Sequence, residues 1–214
     1  MIPLRDSTPS KTFPIVTVLL IILNLYIFYQ EILLGQSLES FIGAYGLVPA
    51  EFRPFNLLSS MFLHGGWMHV IGNMWVLWLF GDNVEDHMGH FKFLVFYLLM
   101  GCIAGTTHYL VNPASTVPVV GASGAVAGIM GAYFLMFRQA RVFTYIPPIF
   151  LVTIPAWVYL GFWALSQVYG GAGSLTDTNS SNIAFWAHIG GFAAGMILHR
   201  FFLKSEDEYA RGGF

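Results

Sequence analysis

Charge is what this chain has least of. Only 9% of its 214 residues are Asp, Glu, Lys or Arg, against 56% hydrophobic ones. A water-soluble domain carries about 25% charged residues, so a soluble monomer of this size is excluded. Cysteine is almost missing too: the one residue, Cys102, rules out an internal disulfide and leaves the redox compartment unreadable. There is no low-complexity tract, no defensible repeat and no soluble domain. The net charge of −2 singles out no partner. What the chain does have is a series of apolar runs of about 20 residues, the length that crosses a ~30 Å hydrocarbon core as helix. A single-domain, multi-pass protein of the lipid bilayer is expected over residues 1–214.

The runs place six spans, at about 14–34, 67–86, 91–111, 122–138, 147–168 and 183–203, giving an all-α membrane bundle. A long connection, 35–66, separates the first two; it is partly apolar and holds Pro49 and Pro54. The N-terminal stretch has the basic lead and apolar run of a secretory signal. The run extends to Leu34, however, with no small-x-small cleavage site after it, so it reads as an uncleaved first span. Its leader lacks the Arg- and Ser-rich character of a mitochondrial transit peptide, which favours a bacterial cell membrane.

With the N-terminus inside, Arg5, Lys11, Lys92, Arg138, Arg141, Arg200, Lys204 and Arg211 all fall on the inner side and only Arg53 outside. Basic residues resist translocation, so N-in, C-in is the expected topology. Spans two, four and six then all run inward, and their first turns share one level near the outer face. Ser123 opens span four, His69 and Asn73 lie early in span two, and His188 lies early in span six.

Polar groups at membrane depth are functional candidates by default. Read singly, each has a plainer role: a serine in a membrane helix packs, a histidine ties helices together. Spacing sharpens the pair. Ser123 precedes small residues at Gly124, Gly128 and Ala132, and His188 precedes Gly191 and Gly195. Such small-xxx-small faces let two backbones approach closely, so packing spans four and six brings Ser123 to His188. A serine beside a neutral imidazole is a nucleophile with its general base. His69 and Asn73, four apart, share a helical face and offer two donors for an oxyanion, joined by the Ser123 amide. A structural hydrogen-bonding pair is the alternative for them. Gly121 and Gly124 flank the serine. Metal binding fits less well: there is no HExxH, and the step from His64 to His69 would turn the two rings apart on a helix. His87 and His90 belong to the other end and are expected to face water. GASGA lacks the second glycine of the soluble hydrolase elbow, and no acidic residue is expected at the outer level. The result is a Ser–His dyad with no third member.

Three stretches, GASG at 121–124, AHIGGFAAG at 187–195 and LHGGWMHVIGN at 63–73, resemble in order the nucleophile motif, the HxxGxxxG base helix and the HxxxN-bearing second span of the rhomboid intramembrane serine proteases. The resemblance covers essentially the whole chain, nearest to the six-span bacterial form. It implies cleavage of a peptide bond within or beside a substrate's transmembrane helix, with Ser123 as nucleophile and His188 as base. His69, Asn73 and the Ser123 amide would form the oxyanion hole, and span five, with Pro147, Pro148 and Pro155, a lateral entry. The implied partners are transmembrane protein substrates and lipid, with no nucleic acid, metal or cofactor. Two positions depart from the pattern. Ala127 stands where the family often has an aromatic under the histidine, so His188 needs another support, either Trp186 or a residue that the motifs do not name. Phe55-Asn56 stands where the family's loop commonly has Trp-Arg. A catalytically inactive member that binds transmembrane helices is the second reading; a small transporter, lacking paired interrupted helices, is the third.

Overall fold

The fold, taken from a computed structural model, is described for residues 1–148, 150–174, 184–205 and 209. Ile149 and Ile183, within the expected spans five and six, and Arg211, of the inner basic set, lie outside the described residues.

Strand β1 (Ile2–Asp6) precedes helix α1 (Ile15–Leu33). The connection that follows is not irregular: it holds α2 (Leu38–Tyr45) and the single turn α3 (Asn56–Ser59). Then come α4 (Trp67–Met88), α5 (His90–Val111) and α6 (Ser123–Met136). Strands β2 (Arg141–Ile146) and β3 (Phe150–Pro155) lead into α7 (Ala156–Ser174), and α8 (Phe185–Leu198) closes the bundle.

Helix α6 is the centre. Every residue from Gly124 to Tyr133 is buried, with α4, α5, α7 and α8 packed around it. The α6–α8 contact is the closest that backbones allow. A Cβ on Gly191 would strike the carbonyl of Gly124, and one on Gly195 the carbonyl of Gly128. The small-residue strips therefore meet face to face, as their spacing predicts. Helices α1 and α5 are long and apolar enough to cross a membrane. At 14 residues, α6 spans only about 21 Å; its flanks meet protein rather than lipid. Outward faces are bare and apolar, with Leu19, Ile22 and Tyr26 on α1, Trp75 and Trp78 on α4, and Phe162, Leu165 and Tyr169 on α7 all exposed. So large an exposed apolar surface suits hydrocarbon, not water.

The start of α1 has no side-chain cap of its own. Its first amides are taken by Glu85 from α4, whose carboxylate accepts from Val16 N (2.9 Å), Thr17 N (2.8 Å) and Thr17 Oγ1 (2.7 Å). This satisfies helix-terminal donors that are otherwise orphaned and places a negative charge where the helix dipole favours it. Glu85 also pairs with His90 at 2.5 Å, and the His87 ring stacks 4.4 Å from that of Tyr209. Neither histidine simply faces water, as the sequence had suggested. Lys204 Nζ donates to the Asp86 carbonyl, and Lys92 Nζ to that of Leu203, so these lysines gather at one end of the bundle.

The all-α expectation fails at one place. Strands β1, β2 and β3 form an antiparallel sheet in that order. Arg141 faces Pro155 and Ile146 faces Phe150 across the β2–β3 pair. The expected span five began at 147, but helix begins only at Ala156. Residues 150–155 read FLVTIP, β-branched and aromatic, and a short apolar run cannot be assigned to strand or helix by hydropathy alone.

The 35–66 connection is anchored by the Asn56 side chain, backbone hydrogen bonds and an aromatic stack rather than by a Trp-Arg pair. Asn56 is buried and donates through Nδ2 to the carbonyls of Gly46 (2.7 Å) and Ala44 (3.2 Å). Leu47 and Val119 exchange backbone hydrogen bonds, and Gly121 N donates to Ser60 O at 2.9 Å. Phe52 stacks on Tyr109 at 4.3 Å between centroids.

Candidate active site

Ser123 is the first residue of α6, where backbone amides point outward unpaired by the helix. Its Oγ lies 2.8 Å from His188 Nε2 on α8, the approach made possible by the glycine contacts one and two turns further along. His69 and Asn73 reach the same place from α4. All four line one cavity of about 590 Å³, together with Val117–Val120 and Ala184. The structure thus brings together every candidate residue that the sequence placed at this level.

Gly121 shows why a glycine precedes the serine. Its φ is +122°, and a Cβ there would lie 2.6 Å from His69 Nε2 and 3.4 Å from Asn73 Nδ2. Any side chain would both strain the backbone and displace the two donors. Gly124 plays a different part: a Cβ on it would strike that of Ala104 on α5. His69 Nδ1 accepts from Gly65 N at 3.4 Å, which leaves the proton of a neutral ring on Nε2, beside the cavity. Asn73 Nδ2 is buried and, among the described residues, has no hydrogen-bond partner. An amide N–H2 left open beside a hydroxyl is a donor held for something else.

The imidazole is not supported by Trp186. It is held from α7, where Gln167 Oε1 lies 2.7 Å from His188 Nδ1 and the Trp163 ring lies 5.9 Å from the imidazole at 38°. Trp163 and Gln167 are four apart and so share one face of α7. Ala127, buried on α6, leaves that support to the neighbouring helix. Sequence reasoning missed Gln167; the signal was an amide within the apolar run of span five.

Two expectations about charge and histidines are corrected here. Glu31, near the C-terminal end of α1, is buried, and its carboxylate accepts from His64 N at 3.2 Å. An acidic group therefore does lie at the level that the sequence reading expected to be free of one. His64 is in a loop, not on the α4 helix, so its ring stands 5.2 Å from that of His69 rather than turned away. Burial, with His69 nearby, depresses the pKa of His64 to about 4.

These features define a class: a helical bundle with an apolar exterior, built around a hydroxyl–imidazole pair faced by open donors. Comparison with known proteins gives the family. Residues 51–205 match the profile of the Rhomboid domain. Rhomboid protein 1 of Saccharomyces cerevisiae, mitochondrial, is 27% identical over 175 residues, covering 78% of this chain and 48% of that protein. The rhomboid protein YdcA of Bacillus subtilis is 27% identical over 159 residues, covering 73% and 71%. The mitochondrial RHOMBOID-like protein 12 of Arabidopsis thaliana is 30% identical over 162 residues, covering 68% and 45%. The chain thus spans about half the length of these two mitochondrial proteins. This chain belongs to the rhomboid family, and it is a membrane protein.

Proposed function

We propose that this protein is an intramembrane serine endopeptidase, cleaving peptide bonds within or beside transmembrane helices of protein substrates. The observation that carries the reading is the 2.8 Å contact of Ser123 Oγ with His188 Nε2 at the edge of a cavity. In the reaction, the Ser123 hydroxyl passes its proton to Nε2 as Oγ attacks the substrate carbonyl. The oxyanion that forms takes hydrogen bonds from His69 Nε2, Asn73 Nδ2 and the Ser123 amide. His188 then gives its proton to the leaving amine, and a water attacks the acyl group by the reverse sequence. The substrate helix enters beside α7, and the bundle lies in a bacterial cell membrane N-in, C-in, with the dyad towards the outer face. The distribution of basic residues supports that arrangement.

The test needs no known substrate. A fluorophosphonate probe reacts only with an activated serine. The detergent-solubilised wild-type chain should label, and Ser123→Ala and His188→Ala chains should not. A folded wild-type chain that refuses the probe would sink the protease reading in favour of a helix-binding, inactive member.

A further inference from the structure

Resting on that reading, we propose that Gln167 of α7 is a positioning residue for the base: it fixes His188 in the tautomer and orientation that leave Nε2 free to take the Ser123 proton. Gln167 belongs to a chain of hydrogen bonds whose direction is set at its far end by a carbonyl. Trp163 O is a carbonyl and can only accept. Ser166 Oγ donates to it at 2.6 Å, and the Gln167 Nε2 end donates to Ser166 Oγ at 3.0 Å and towards the same carbonyl at 3.4 Å. With its amino group so engaged, the amide presents its oxygen to the imidazole at 2.7 Å. An amide oxygen has no proton to give, so His188 Nδ1 must carry one. A neutral ring protonated at Nδ1 has its lone pair on Nε2, 2.8 Å from Ser123 Oγ. The relay ends where catalysis begins.

Gln167 occupies the place of the acid in a three-membered triad, with two differences. It is neutral, so it selects the tautomer without contributing a full charge to stabilise the imidazolium. It also comes from α7 and not from the α6–α8 pair that holds Ser123 and His188. The orientation of the base therefore depends on α7 being seated: withdrawing α7 beyond hydrogen-bond reach leaves Nδ1 without its acceptor.

The experiment compares wild-type, Gln167→Leu and Gln167→Glu chains. Fluorophosphonate labelling rates are followed across pH, with Ser123→Ala and His188→Ala as blanks. Leucine keeps the bulk and loses the acceptor; labelling should slow about 10–100-fold, the usual cost of removing a partner that orients a histidine ring. Glutamate restores an acceptor and adds negative charge, so labelling should recover and its acid limb should move to higher pH. The other titratable groups acting on His188 are His69 of α4 and His108 of α5, unchanged in all three chains. Leucine labelling at the wild-type rate would overturn the assignment while leaving the dyad intact. A second readout does not need reactivity: the 15N shifts of His188, located by their loss in His188→Ala, report which ring nitrogen is protonated. Nδ1 protonation in the wild type, lost in Gln167→Leu, is expected. An unlabelled wild-type chain showing that pattern would sink the protease and keep the positioning role; a Nε2-protonated wild type would sink the positioning role.

Discussion

A hydroxyl, an imidazole and two facing donors were separable from their apolar surroundings by type alone, because lipid makes each of them conspicuous. That is why Ser123, His188, His69 and Asn73 were legible in the sequence. Gln167 was not, since an uncharged amide in a helix has many tertiary partners and its spacing names none of them. Glu31 escaped for another reason: it sits at the last turns of an apolar run, where a charge reads as the boundary of the span rather than a buried group. The two donors carry a prediction of their own. His69→Ala and Asn73→Ala should each slow fluorophosphonate labelling by about 10²–10³, the effect of losing one oxyanion donor, with the fold preserved as judged by thermal unfolding in detergent. Rates equal to wild type would return both residues to a structural role. A glycine at 121 is equally demanded, because a Cβ would sit against the His69 ring; Gly121→Ala should depress labelling through displaced donors even though it lies outside the dyad.

At the scale of elements, the interlock of α6 and α8 was predictable because small residues four apart have few other uses, whereas the sheet was not. Gly195 and Gly43 offer a clean contrast. A Cβ on Gly195 meets the backbone of Gly128, which cannot swing aside, while one on Gly43 in α2 meets nothing within 4 Å. Gly195→Ala should therefore cost about 1–3 kcal/mol by overpacking. Gly43→Ala should be neutral or stabilising by about 0.4–1 kcal/mol through the unfolded chain. Apparent melting temperatures in one detergent would decide both. The outer connection carries a dependence on pH. A solvated histidine takes up a proton near 6.5, buried His64 only near 4. Between those values the His64 ring binds more protons in the opened loop than in the closed one, so its own contribution to closure weakens as pH falls through that window and is constant above it. Corrected for the intrinsic exchange rate, the protection of amides in residues 47–64 should fall more in the wild type than in a His64→Asn chain on going from pH 6.5 towards 4; equal profiles would remove His64 as a cause.

For the whole molecule, the count of basic residues predicts a sidedness that labelling can read. In a Cys102→Ser background, Arg53→Cys should react with an impermeant maleimide on intact cells, and Arg138→Cys only after the membrane is broken. The reverse pattern would invert the topology. The sheet ties distant parts of the chain into one mechanical unit. Ile2 faces Tyr145 and Asp6 faces Val142, β2 holds β3 along its full length, and Ala156, the first residue of α7, donates its amide to Ala140 O at 2.8 Å. No loop intervenes between β3 and α7. One end of α7 is thus fastened to the sheet like the leaf of a door to its frame. The frame includes the first strand of the chain, which makes Ile2–Asp6, remote in sequence from Ser123 and His188, part of what fixes the hinge edge of that helix.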